Sequence, residues 1–230
     1  MVELPVVDVS ALVDPSSSYE ERRAVGARLD EACRTCGFLL VTGHGVDPAL
    51  RDDLERLARE FFALPEEEKA RIAMSRAGSA WRGWFPVGGE LTSGEPDRKE
   101  GVYFGTELPG DDPRVLAGTP LHGANLFPER PAALGGVVLR WIDEVGALGA
   151  ALLRGLALGL GLDEDWFART LTADPTILFR AFHYPPGDAD SWGVGEHTDY
   201  GLVTLLAQDH HGGLQVRSQG EWIDVPADPY

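Results

Sequence analysis

The chain has 230 residues, 43% hydrophobic and 25% charged, with 28 glycines and 16 prolines. That is the profile of a globular protein and neither a disordered tail nor a fibrous repeat. Its net charge of −17 repels nucleic-acid phosphates and anionic lipid surfaces, which excludes nucleic-acid and membrane partners from the expectation. At this length folding buries roughly 70–75% of the unfolded chain's surface, so one substantial core forms without a disulfide.

Met1 to Val9 has no basic start and no apolar run of signal-peptide length, so secretion is not indicated. Gly146 to Leu162 is the longest weakly polar stretch, but Arg154 interrupts it, and it falls short of the roughly 20 apolar residues of a membrane span. It reads as a buried helix. Cys33 and Cys36 are the only cysteines, which excludes a disulfide framework and makes a reducing cytoplasm the expected compartment.

In chain order, Leu4 to Val9 is a β-branched strand, and Tyr19 to Cys36 carries a helical period through Val25, Leu29 and Ala32, closed by Gly37. Phe38 to Val41 is a second short strand. Asp47-Pro48 then opens a helix to Phe62 as N-cap and first-turn proline. Pro65 with three glutamates starts an acidic helix to about Met74, after which Gly, Pro and aromatic residues through Gly123 predict an irregular or weakly stranded segment.

Pro131 to Leu160 predicts one long helix with apolar faces through Leu134, Val138, Ile142, Leu148 and Leu152, and Asp163 to Leu171 a shorter one. From Ile177 the runs 177–184, 201–207, 213–217 and 221–225 read as short strands separated by turns. Short strands of this number begin an antiparallel sheet without closing a barrel.

The sharpest local feature is His197-Thr198-Asp199. On an extended backbone residues two apart point the same way, with Cα atoms roughly 6.5–7 Å apart, so the imidazole and the carboxylate converge on one ion. With a second histidine this pair makes the three-ligand face of non-haem Fe(II) oxygenases; taken alone, such a tripeptide is far more often ordinary surface polarity.

Its surroundings carry a resemblance. His183-Tyr184-Pro185-Pro186, the run from His197 through Asp209 and Gly212-Gly213-Leu214-Gln215-Val216 closely resemble the catalytic core of the Fe(II)/2-oxoglutarate-dependent dioxygenases of the isopenicillin N synthase-like family. Upstream, Leu4 to Asp8, Cys36 to Val46, Phe61 to Pro65 and Asp97-Arg98-Lys99-Glu100 are similar to that family's N-terminal region, in the same order.

The resemblance implies an α+β protein with an N-terminal α/β region at 1–120. Residues 121–230 then hold support helices and the first half of a double-stranded β-helix, or jelly-roll, core, incomplete at the C-terminus. It implies that His197 and Asp199 are metal ligands for Fe(II), and that Tyr184 helps hold the distal carboxylate of the cosubstrate 2-oxoglutarate, a role a phenol donor suits. It also implies oxidation of a small molecule by O₂, as hydroxylation or desaturation, with 2-oxoglutarate converted to succinate and CO₂. No catalytic acid or base is singled out. Phe182 stands where many plant members carry Asn, and the family's second iron-binding histidine and its Arg for 2-oxoglutarate have no counterpart in these residues.

Among the other candidates, His210 and His211 lie in a turn about 35 Å of extended chain from Asp199. Asp224 would return toward the pair only if the chain folded back about that turn. His44, in Gly43-His44-Gly45, reads as structural, and His122 and His183 have no partner at metal-binding spacing. The Gly-His-Gly lacks the third glycine of a dinucleotide loop. Cys33-Arg34-Thr35-Cys36 sits late in a helix, where buried structural thiols are expected rather than a redox pair. Trp81, Trp84, Phe85, Tyr103 and Phe104 fill a core or line a substrate mouth. Two alternatives stand beside the main reading: an iron oxidase that uses no 2-oxoglutarate, and a non-catalytic fragment or partner-binding domain with exposed strand edges.

Overall fold

The computed structural model describes residues 3–187 and 192–227. In chain order the elements are β1 (Val6–Asp8), α1 (Ser10–Val13), α2 (Tyr19–Thr35), β2 (Leu40–Thr42), α3 (Pro48–Phe62) and α4 (Glu66–Lys69). After three short 3-10 turns come β3 (Gly83–Phe85), β4 (Leu91–Thr92), β5 (Glu95–Pro96), β6 (Glu100–Gly105), α5 (Pro113–Leu116), α6 (Leu134–Gly159), α7 (Trp166–Thr170), β7 (Leu178–His183), β8 (Gln215–Ser218) and β9 (Glu221–Asp224). Two compact units are assembled from separate stretches, one from Met1–Asp47, Glu144–Pro175 and Val203–Tyr230, the other from Pro48–Asp143 and Thr176–Leu202.

In the first unit β1 and β2 pair in parallel, Val6 opposite Leu40. Helix α2 begins at a capping box: Ser18 Oγ accepts from the Glu21 backbone N–H at 3.2 Å, and the Glu21 carboxylate accepts from the Ser18 N–H at 2.7 Å. It ends where Gly37 takes φ +82°, the left-handed conformation that glycine adopts without a Cβ clash. Val25 and Leu29 face a core built from Val7, Val9, Leu12, Leu148, Ala151 and Leu152. Gly26 lets α2 touch the end of α6: a Cβ there would lie 2.4 Å from the Gly155 carbonyl oxygen. The hairpin β8–β9 joins this unit through Ser218, whose hydroxyl donates to the Cys36 carbonyl at 2.8 Å.

In the second unit α3 buries Leu50, Leu54, Leu57 and Phe61, the stripe of a helix with one apolar face. Strands β3, β6 and β7 form an antiparallel sheet with β6 in the centre. Side chains alternate across it. Trp84, Val102, Phe104, Phe179 and Ala181 pack with Phe61, Leu134, Val138 and Ile142 on one face, and Phe104 stacks on Phe127 at 5.5 Å between ring centres. On the other face lie Phe85, Tyr103 and Phe182, in edge-to-face contact at 5.5–6.4 Å.

The structure refines four expectations. The segment 75–123, where the composition predicts an irregular or weakly stranded stretch, holds the short strands β3, β4 and β5 and the six-residue β6, buried along its whole length; the Glu100 charge is neutralised by residues distant in sequence. Residues 201–207 have strand composition but form no strand, because no ladder partner pairs with them among the described residues. The hairpin turns between Ser218 and Glu221, where the last two expected strands meet, and not about His210-His211, the fold-back on which Asp224 as a ligand depended; Asp224 there accepts from Gln215 Nε2 at 2.7 Å. Of the two thiols only Cys36 is buried; Cys33 is exposed.

Candidate functional site

Strand β7 carries Arg180 and Phe182 on one face, and the chain continues past its end through Tyr184 on the same side. His183 points the opposite way, as its alternation requires, and its Nδ1 lies 2.9 Å from the Glu100 carboxylate. Tyr184 is half exposed, sets its ring edge-on to Phe182 at 6.4 Å and packs so closely on Gly193 that a Cβ there would lie 2.8 Å from its ring. Its hydroxyl makes no hydrogen bond among the described residues. The atoms crowded around it, then the carboxylates of Asp97 and Glu90, push its phenol up to about 12, so it is a neutral donor at physiological pH.

Residues 195–200 form no helix or strand, so the strand expected to carry His197 and Asp199 is not present. His197 Nε2 lies 3.4 Å from Asp199 Oδ1, with both side chains about half exposed. His197 Nδ1 lies 2.9 Å from the Gly195 carbonyl oxygen. A carbonyl can only accept, so Nδ1 carries a proton, and Nε2 is the nitrogen turned toward the carboxylate.

This geometry fits a divalent metal. Two donors each about 2.1 Å from an ion and at right angles lie about 3 Å apart, close to the spacing seen here. An imidazole and a carboxylate are two of the three ligands of the facial set used for non-haem iron. No group of three His, Cys, Asp or Glu side chains gathers at one point among the described residues.

Beside Tyr184 the sheet carries two ionic clusters that the sequence pattern does not reveal. On the core face the Glu100 carboxylate accepts from Lys69 Nζ at 2.7 Å and from Trp84 Nε1 at 2.8 Å as well as facing His183. On the opposite face Lys99 pairs with Asp97 and, at 3.3 Å, with Glu90. Tyr103 donates its hydroxyl to Glu90, and Lys99 Nζ lies 4.8 Å from the centre of the Phe182 ring. The one advance signal is Asp97-Arg98-Lys99-Glu100, which reads in the sequence as a motif without a role.

The remaining histidines are engaged elsewhere. His44 Nδ1 accepts from the Val46 N–H at 3.1 Å, His122 Nδ1 lies 2.8 Å from the Pro120 carbonyl oxygen, His211 Nδ1 lies 2.9 Å from Asp209, and the His210 ring lies 4.1 Å from that of His211. Trp84 and Phe104 fill the core, whereas Trp81 is exposed.

Residues 4–130 match the family described as non-haem dioxygenase in morphine synthesis, N-terminal, and residues 175–230 match the 2OG-Fe(II) oxygenase superfamily. A probable iron/ascorbate oxidoreductase of Dictyostelium discoideum is 42% identical over 248 residues, covering 97% of this chain and 68% of its own. A homoarginine-6-hydroxylase of Oryza sativa subsp. japonica is 37% identical over 233 residues, covering 96% of this chain and 70% of its own. The crystal structure of a full-length Neurospora crassa protein in complex with alpha-KG superposes with a TM-score of 0.81 at 27% identity, over 99% of this chain and 70% of that one.

The α+β fold with helices beside antiparallel strands is that of the jelly-roll oxygenases, and the chain belongs to the 2OG-Fe(II) oxygenase superfamily. It is accordingly an oxidoreductase of the class that uses Fe(II) and 2-oxoglutarate.

Proposed function

We propose that His197 and Asp199 hold the iron, that Tyr184 binds the distal carboxylate of 2-oxoglutarate, and that the chain oxidises a small molecule with O₂ as a member of the isopenicillin N synthase-like group. The observation that carries this is the 3.4 Å approach of His197 Nε2 to Asp199 Oδ1. The Gly195 carbonyl, by accepting from Nδ1, orients the ring so that Nε2 is the nitrogen turned to Asp199. Bound iron with 2-oxoglutarate supplies the oxidising power, and succinate and CO₂ are the coproducts.

The chain's own residues bind and orient. Tyr184 donates its unspent hydroxyl to a carboxylate, a charge-assisted bond stronger than a neutral one. Phe85, Phe182 and the Tyr103 ring form an apolar floor beside Tyr184 on the same face of the sheet. The division at residue 120 between an N-terminal region and the helices leading into the jelly-roll half belongs to this proposal and is supported by the order of the motifs. So does a cytoplasmic setting, supported by the two-cysteine composition.

Anaerobic titration of ferrous iron into wild type and Asp199→Ala, followed by measurement of succinate release, tests the assignment. Wild type is expected to bind one ion and the variant to lose binding and turnover together; equal binding by both overturns the metal site.

A further inference from the structure

Arg180 is held unlike several other arginines of the chain. Arg34, Arg56, Arg114 and Arg130 each pair with a carboxylate at 2.7–2.8 Å, as expected in a chain with a net charge of −17. Arg180 sits directly opposite Tyr103 in the β6–β7 ladder. Its guanidinium carbon lies 4.8 Å from the centre of the Tyr103 ring and 5.1 Å from that of Tyr200. Among the described residues no carboxylate or carbonyl accepts from it.

Two aromatic faces therefore fix the cation by their quadrupoles while leaving its N–H edge unspent. The neighbouring charges do not change this. Lys99 pairs with both Asp97 and Glu90, and Glu90 also takes the Tyr103 hydroxyl; among the described residues neither carboxylate accepts a hydrogen bond from Arg180. A planar fork of donors, immobilised and unpaired, matches a carboxylate bidentately.

Its place says which carboxylate. Arg180 shares its face with Phe182 and Tyr184, and Tyr200, which covers it, directly follows Asp199. Tyr184 is four residues on, about 13 Å along an extended backbone, so an anion on Arg180 and the distal carboxylate of 2-oxoglutarate on Tyr184 are separate events.

We propose that Arg180, clamped between Tyr103 and Tyr200, is the specificity-determining residue that binds a carboxylate of the organic substrate, so that the substrate class is small carboxylic acids. This rests on the reading of His197 and Asp199 as the metal site.

The test uses the full chain loaded with ferrous iron and 2-oxoglutarate under argon. A fixed panel of small carboxylic acids, amino acids included, and the matching primary amides are compared by ligand-observed NMR. Wild type is expected to bind at least one acid ten-fold or more tightly than its amide. Arg180→Gln is expected to abolish that preference with 2-oxoglutarate affinity changed by less than two-fold; Arg180→Lys, which keeps the charge without the fork, should retain part of it and serves if the glutamine variant does not fold.

No acid preferred over its amide, or a preference that survives Arg180→Gln, overturns the proposal. A ten-fold loss of 2-oxoglutarate affinity in that variant also overturns it, by giving the carboxylate to the cosubstrate. Iron titration of the same proteins is read separately, so that failure of the metal site shows as lost iron binding in wild type itself.

Discussion

The Glu100 carboxylate and the His183 imidazole face each other at 2.9 Å across β6 and β7, one residue before Tyr184 and on the opposite side of the sheet. The same carboxylate takes Lys69 and Trp84, so a single buried acid joins α4, β3, β6 and β7. Removing it strands the Lys69 ammonium, which is itself buried. Breaking a buried pair by deleting one partner costs about 3–5 kcal/mol. Glu100→Ala is therefore expected to lower the urea unfolding free energy by that amount, and Glu100→Gln, which keeps the shape and one acceptor, by less.

The same acid sets a pH dependence. Burial alone would raise the Glu100 carboxyl, but the bonds from Lys69, His183 and Trp84 outweigh burial and hold it below its ordinary 4.5. A carboxyl depressed in the folded state contributes stability that is fully present above the unfolded value and is lost as pH falls through the folded one. Wild type should thus lose unfolding free energy below about pH 4.5 more steeply than Glu100→Gln, as measured by urea titrations across that range; equal slopes would remove Glu100 from the account.

Much of this arrangement is legible in the sequence where the signal is local. The period of Val25, Leu29 and Ala32 and the Asp47-Pro48 helix start need only nearest neighbours, and α2 and α3 appear where expected. The length and burial of strand β6 are not legible, because the partners that neutralise Glu100 are Lys69, 31 residues away, and His183, 83 residues away. Arg180 is invisible for a related reason: its meaning lies in the carboxylate it lacks. The run 201–207 shows the converse, since β composition makes a strand only when a partner supplies the hydrogen bonds.

Gly26 and Gly159 make a backbone contact that forbids side chains. A Cβ on Gly159 would lie 2.3 Å from the Gly26 carbonyl oxygen, and neither partner atom is a flexible side-chain end. Alanine is the better helix former by about 1 kcal/mol, yet forcing a methyl into a filled contact costs about 1–3 kcal/mol. Gly26→Ala and Gly159→Ala are each expected to lower the thermal midpoint, whereas Gly136→Ala, whose Cβ meets nothing within 4 Å, should raise or preserve it.

Tyr184 separates cosubstrate binding from chemistry. Its hydroxyl is unspent, and its ring is seated against Gly193 and Phe182, so Tyr184→Phe removes a donor without disturbing the seat. A hydrogen bond to a charged group contributes about 1.5–3 kcal/mol, which is roughly 10–100-fold in affinity. The KM for 2-oxoglutarate should rise by that factor while kcat at saturating 2-oxoglutarate stays within about two-fold and ferrous affinity is unchanged. Gly193→Ala, which pushes the ring aside, should raise the same KM with the hydroxyl still present. If Tyr184→Phe leaves that KM where it was, the phenol is packing the sheet edge and the distal carboxylate is held by another group.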